Sequence, residues 1–222
     1  MNDKMNKLIK GILVFLLYIL VPYVLDMFLP GLTKSNSMEL LYRFMFMFLL
    51  LLFYGFIYRD DLAKDFKDLK KNFKKIAFKG FIYFIVMIAA MAVSNGIILF
   101  LFPKFEPASS NIISSLMETN TLLMVFYVFV ISLFTEQIVF RKVFKDILDN
   151  KYFFIIFSSL IYGLFQIGYN VSSTAELISI VPYFCVGVIL SSSYEKTNNM
   201  FTPCLVYLFY DLFILLGVIS GL

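Results

Sequence analysis

Apolar runs of membrane-crossing length recur along this chain, and nothing constrains its fold more. Seven segments, about 8–29, 38–58, 80–102, 122–140, 152–169, 176–193 and 200–219, approach the ~20 residues that cross ~30 Å of hydrocarbon as a helix. The chain is 61% hydrophobic and 15% charged, whereas soluble domains average ~45–50% and ~25%. The expected fold is therefore all-α: a polytopic membrane helix bundle of about seven transmembrane helices.

The charges orient that bundle. Sixteen of the 19 Lys and Arg lie at the N-terminus or in the second, fourth and sixth connections. Lys34, Arg43 and Lys104 alone fall on the other side. The positive-inside rule then puts the N-terminus in the cytoplasm and the C-terminus outside. An even number of spans would break this segregation. The basic start, Met1–Lys10, resembles a signal peptide. Its apolar run is too long, and no small-x-small cleavage site follows, so the span is expected to be retained. The abundance of Tyr, Phe, Ile, Lys and Asn points to an AT-rich bacterial genome, and hence to a multi-pass protein of the bacterial plasma membrane.

No domain boundary interrupts residues 1–222, which read as one transmembrane domain. Residues 1–121 hold the first three spans and one cytoplasmic amphipathic helix, 60–78. There Leu62, Phe66, Leu69, Phe73 and Ile76 recur at steps of four and three, with lysines on the other face. Such a helix lies on the inner membrane surface, and Lys64–Lys79 would meet anionic lipid. The outer segment Pro103–Thr121 starts irregular, and Asn111–Glu118 is expected to extend the fourth span as helix. Pro22 and Pro182 should kink the first and sixth spans. Ala92 and Gly96 form a small-xxx-small pair for close helix packing. Cys185 and Cys204 fall inside spans and read as inert small residues. With no histidine in the chain and no Cys-x-x-Cys, neither a metal site nor a cofactor is expected, and no nucleic-acid partner.

Ionisable groups within spans are costly, so those that persist usually have a role or a partner. Asp26 lies near the outer end of the first span and reads as interfacial. Glu136 follows an apolar run, Leu122–Phe134. Arg141 stands five residues later, about 140° around an α-helix. It is expected to snorkel to the cytoplasmic surface rather than share the face of Glu136. Gln166 shares a face with Tyr162, and Asp211 with Tyr207, each at i, i+4. Gln166 lies about 21 Å along its helix from Tyr152, and Asp211 about 16 Å from Met200. Glu136 reaches the same depth, roughly 18 Å, if its helix continues to about Leu148. The three would then converge on one inner cavity; the alternative is three separately satisfied polar residues.

These positions resemble the motifs of the CPBP family of intramembrane proteases, also called the Abi or CAAX-protease family. Glu136-Gln137-Ile138-Val139-Phe140-Arg141 is similar to that family's Glu-Glu-x-x-x-Arg, with Gln137 for the second glutamate. Tyr162-Gly163-Leu164-Phe165-Gln166 stands where the family has Phe-x-x-x-His. Tyr207-Leu208-Phe209-Tyr210-Asp211 stands where it has His-x-x-x-Asn. The resemblance covers about 122–213, a CPBP/Abi-like core.

The resemblance implies a site of Glu136, Arg141, Gln166, Tyr207 and Asp211, in which glutamate activates water and the histidines and asparagine support it. Here the histidines are replaced. Glutamine takes no proton at neutral pH, tyrosine titrates near ~10, and an ionised Asp211 would repel an oxyanion. The expected protein is a catalytically inactive family member, a scaffold, regulator or immunity factor. Its partner would be another membrane protein, a membrane-anchored cell-wall enzyme, a sensor or a bacteriocin receptor. The alternative is a residual glutamate protease using Glu136 with Asp211 as a second carboxyl. A transporter is a third reading, which the lack of clear inverted repeats opposes.

Overall fold

The computed structural model describes residues 2–32, 36–103, 125–168 and 174–220. Those residues form helices and no strand. α1 is Asn2–Leu32, α2 Asn36–Ile57 and α3 Arg59–Leu101. α4 is a composite helix over 127–147. π-helical Tyr127–Ser132 and Ile138–Val143 alternate in it with α-helical Leu133–Gln137 and Phe144–Ile147. α5 is Lys151–Ile167, α6 the single turn Thr174–Ile178, α7 Ile180–Thr197 and α8 Phe201–Ser220.

The all-α membrane bundle is what the apolar runs predict. By length and composition, Lys4–Phe28, Arg59–Leu101 and Glu176–Thr197 can each cross a membrane, while Leu41–Ile57, Lys151–Ile167 and Phe201–Gly217 are shorter apolar helices. Large apolar side chains cover the outside, among them Leu16 and Leu20 on α1, Phe56 on α2 and Phe100 on α3. That surface suits lipid tails and would be a liability in water. The expected continuation of the fourth span is present: α4 runs to Ile147, and Leu148 turns extended at φ −107°, ψ 106°. Residues Asn111–Glu118 lie outside the described residues.

α4 sits at the centre, touching α1, α2, α5, α7 and α8. Every side chain from Thr135 to Arg141 is buried, as expected of a helix surrounded on all sides. α5 and α7 share the most extensive contact. Their closest point is Gly187, where an added Cβ would lie 2.8 Å from both Cα and Cβ of Ser159. Ser158 and Ser191 bridge the same interface, Oγ to Oγ, at 2.8 Å. The expected close packing at Ala92 and Gly96 does not occur. Both are exposed, and among the described residues nothing lies within 4 Å of a Cβ built on Gly96. A small-xxx-small spacing permits approach but cannot choose which helix face meets a neighbour.

One further expectation is corrected. Pro182 makes no mid-span kink, because α7 begins at Ile180 and the proline sits in its first turn, where no amide is missed. The amphipathic helix and the third span meet end to end within α3, at a kink where Asn72 adopts φ −119° and ψ 26°.

Contacts gather the basic connections at one end. Lys4 pairs with Asp149 at 2.5 Å, holding that carboxyl below its usual range. Lys142 meets Asp61 at 2.9 Å and Asp146 at 3.0 Å, and Lys145 bonds Glu195. Asp26 and Arg43, both assigned to the opposite side, pair with each other. At the basic end the first part of α3 grips the α7–α8 turn. The Asn199 amide donates to the Asp65 carbonyl and to Asp68 Oδ2, both at 2.9 Å. The Met200 N–H donates to Asp65 Oδ2, and the Phe201 N–H to Asn199 Oδ1, again at 2.9 Å. Asn198 permits the turn by adopting φ 48°, which asparagine tolerates better than most residues. Asn199 is 1% exposed. Asn199→Ala removes three of these bonds at about 1 kcal/mol each. It should lower stability by roughly 2–3 kcal/mol and speed proteolysis of 59–71, measured on the purified protein.

Candidate intramembrane site

Glu136 is buried at the middle of α4. Ser132, one α-turn earlier, donates its hydroxyl to Oε1 at 2.8 Å. Gln166, near the end of α5, donates its amide to Oε2 at 3.4 Å. Both carboxylate oxygens therefore have a donor. Asp211 on α8 is half-buried and lies in electrostatic range of Glu136, and its Oδ2 is buried with no hydrogen bond among the described residues. Tyr162 is close enough to Glu136 and to Tyr207 to interact with each through its hydroxyl. Tyr207 and Tyr210 stack at 6.2 Å between ring centroids. Tyr18 from α1 and Tyr127 from the start of α4 complete a tyrosine-rich wall facing Glu136.

Arg141 corrects the expectation that it snorkels. It is 0% exposed, its Cζ stands 4.9 Å above the Tyr162 ring, and Nη1 donates to the Phe140 carbonyl at 3.3 Å. It also interacts electrostatically with Glu136 and Tyr207. The reason lies in the helix. The 140° separation assumed 3.6 residues per turn, but Ile138–Val143 is π-helical. A π-turn closes over about five residues, and such segments recur at functional sites. That winding turns Arg141 back towards the interior. Its Nε and Nη2, and both amide atoms of neighbouring Gln137, have no hydrogen-bond partner among the described residues.

The structure thus brings Glu136, Arg141, Gln166, Tyr207 and Asp211 to one interior region from α4, α5 and α8. The sequence reading missed Ser132, Tyr127 and Tyr18. Ser132 was discoverable, because it precedes Glu136 by four residues and shares its face. Tyr127 and Tyr18 carry no signal in the sequence, since neither belongs to a spaced pair with a polar residue.

Chemically the region holds one hydrogen-bonded carboxylate, a second carboxyl, a buried guanidinium, an amide and phenols. No cluster of three or more His, Cys, Asp or Glu able to hold a metal occurs among the described residues. The two cysteines are free thiols. Fold and site together define a helical membrane protein with an enclosed glutamate at its core.

A family model described as type II CAAX prenyl endopeptidase Rce1-like matches residues 118–213. This part of the chain, which carries all five positions, is similar to that CAAX-endopeptidase-like family. No curated protein and no solved structure matches the chain.

Proposed function

We propose that this CAAX-protease-like membrane protein binds another membrane protein or membrane-anchored peptide and does not hydrolyse it. The observation that carries the reading is the state of Glu136. Its two oxygens accept from Ser132 and Gln166, and the amide of Gln166 takes no proton at neutral pH. The chain contains no histidine. Gln166 donates to the carboxylate where the family places a base. Asp211 stands where the family has an oxyanion-donating asparagine, and losing one such donor costs about 10²–10³ in rate. A bacterial plasma-membrane setting, an N-terminus in the cytoplasm and a role as scaffold, regulator or immunity factor complete the proposal. The partner would be a cell-wall enzyme, sensor or bacteriocin receptor anchored in the same membrane. Residues 1–121, with the first three spans, and the Rce1-like core 122–213 would form one transmembrane domain.

Affinity capture from native membranes tests this. Wild type and Glu136→Gln should retain the same full-length membrane partner in equal amounts. A protein held intact only by Glu136→Gln would mean that wild type cuts it. That result would favour the second reading, a residual glutamate protease, which draws support from the electrostatic proximity of Glu136 and Asp211. Two carboxyls sharing a proton can activate water.

A further inference from the structure

We infer that the first part of α3, residues 59–71, together with Phe73, Lys74 and Lys75 just past the Asn72 break, is a docking arm for anionic phospholipid headgroups. The arm sorts its charges by face. Three of its four acids meet the protein: Asp61 pairs with Lys142, Asp65 accepts the Met200 N–H, and Asp68 accepts from Asn199, while Asp60 is exposed beside Arg59. Lys64, Lys67, Lys70, Lys71, Lys74 and Lys75 are all exposed. The outward field is therefore cationic, with most of the acidic charge of the arm turned to the protein.

Apolar surface accompanies that charge. Phe66 and Phe73, one on each side of the Asn72 break, are 45% and 56% exposed. Lys70 Nζ stands 4.6 Å above the Phe66 ring. Exposed phenylalanines flanked by lysines are costly in water and suited to a headgroup boundary, where rings insert and ammonium groups meet phosphate. The arm is also held at the right height. It continues into the apolar part of α3, and the Asn199 clamp fixes its inner face on the α7–α8 turn. An acidic soluble partner would match the lysines. It would not account for phenylalanines on a helix that enters the bilayer within two turns.

The chain lacks tryptophan, so Phe73→Trp gives a single reporter. The full-length protein would be placed in nanodiscs of zwitterionic lipid alone or with about one-third anionic lipid. Anionic discs should shift the emission to the blue and increase quenching by brominated acyl chains. Salt well above the physiological range should reverse both changes, because screening shortens to a few ångströms near ~1 M. Replacing Lys67, Lys70, Lys71, Lys74 and Lys75 by Gln should abolish the difference, at about five-fold in partitioning per lysine. Replacing them by Arg should keep it. The salt series on the reporter alone stands even if the glutamine variant does not fold. Identical emission and quenching in both kinds of disc would overturn the inference, whatever soluble protein the arm then captured.

Discussion

Gly187→Ala should destabilise the protein by about 3 kcal/mol, at the upper end of what overpacking usually costs. The new methyl carbon would stand 2.8 Å from Cα and Cβ of Ser159 and 3.1 Å from its carbonyl oxygen. Two of these three are backbone atoms, so no side chain can rotate away; α5 and α7 must separate. Separation stretches the Ser158–Ser191 bond and displaces Tyr162 and Gln166, carried on the same α5. The comparison is Gly96→Ala, which meets open space and exchanges a poor helix former for the best one. It should be neutral or stabilising by up to ~1 kcal/mol. Unfolding can be followed with a thiol-reactive dye, because Cys204 is 4% exposed in the folded protein. Equal midpoints for the two variants would remove Gly187 as the point of closest approach.

Arg141→Ala should cost about 2–5 kcal/mol, the range for truncating a large buried side chain to alanine. The guanidinium stands 4.9 Å over the Tyr162 ring and in electrostatic range of Glu136. Its loss leaves a cavity and removes a positive charge from the surroundings of Glu136. Glu136→Gln should cost much less, because a glutamine oxygen can still accept from Ser132 or Gln166. The double variant should be milder than the sum, since the amide no longer needs the cation. The same thermal assay would measure all three. An Arg141→Ala protein as stable as wild type would show that the arginine sits at the surface after all.

The sequence spoke clearly where a single physical rule operates. Apolar runs and the cost of unsatisfied backbone in lipid fix a helical membrane bundle. Glu136, Gln166 and Asp211 could be aligned in depth because helical rise per residue sets position along a span to within a few ångströms. Contact selection was illegible. Ala92 and Gly96 had the right spacing and face outward, while Gly187, in a less suggestive context, carries the closest contact. Arg141 was misplaced because spacing arguments assume α-helical winding, and nothing in Ile138–Val143 announces a π-turn. The clamp between Asp65, Asp68 and Asn199 joins residues more than 130 positions apart, beyond any local pattern. Ser132 alone was within reach of the i, i+4 rule.

The proposal that Glu136 hydrolyses no substrate is most directly tested by sequencing protein termini in native membranes. Cells carrying wild type, Glu136→Gln and no copy of the protein would be compared by mass spectrometry of membrane-protein N- and C-terminal peptides. The account predicts no terminus that depends on Glu136. A new terminus found with wild type, and missing both with Glu136→Gln and without the protein, would contradict it and establish a protease.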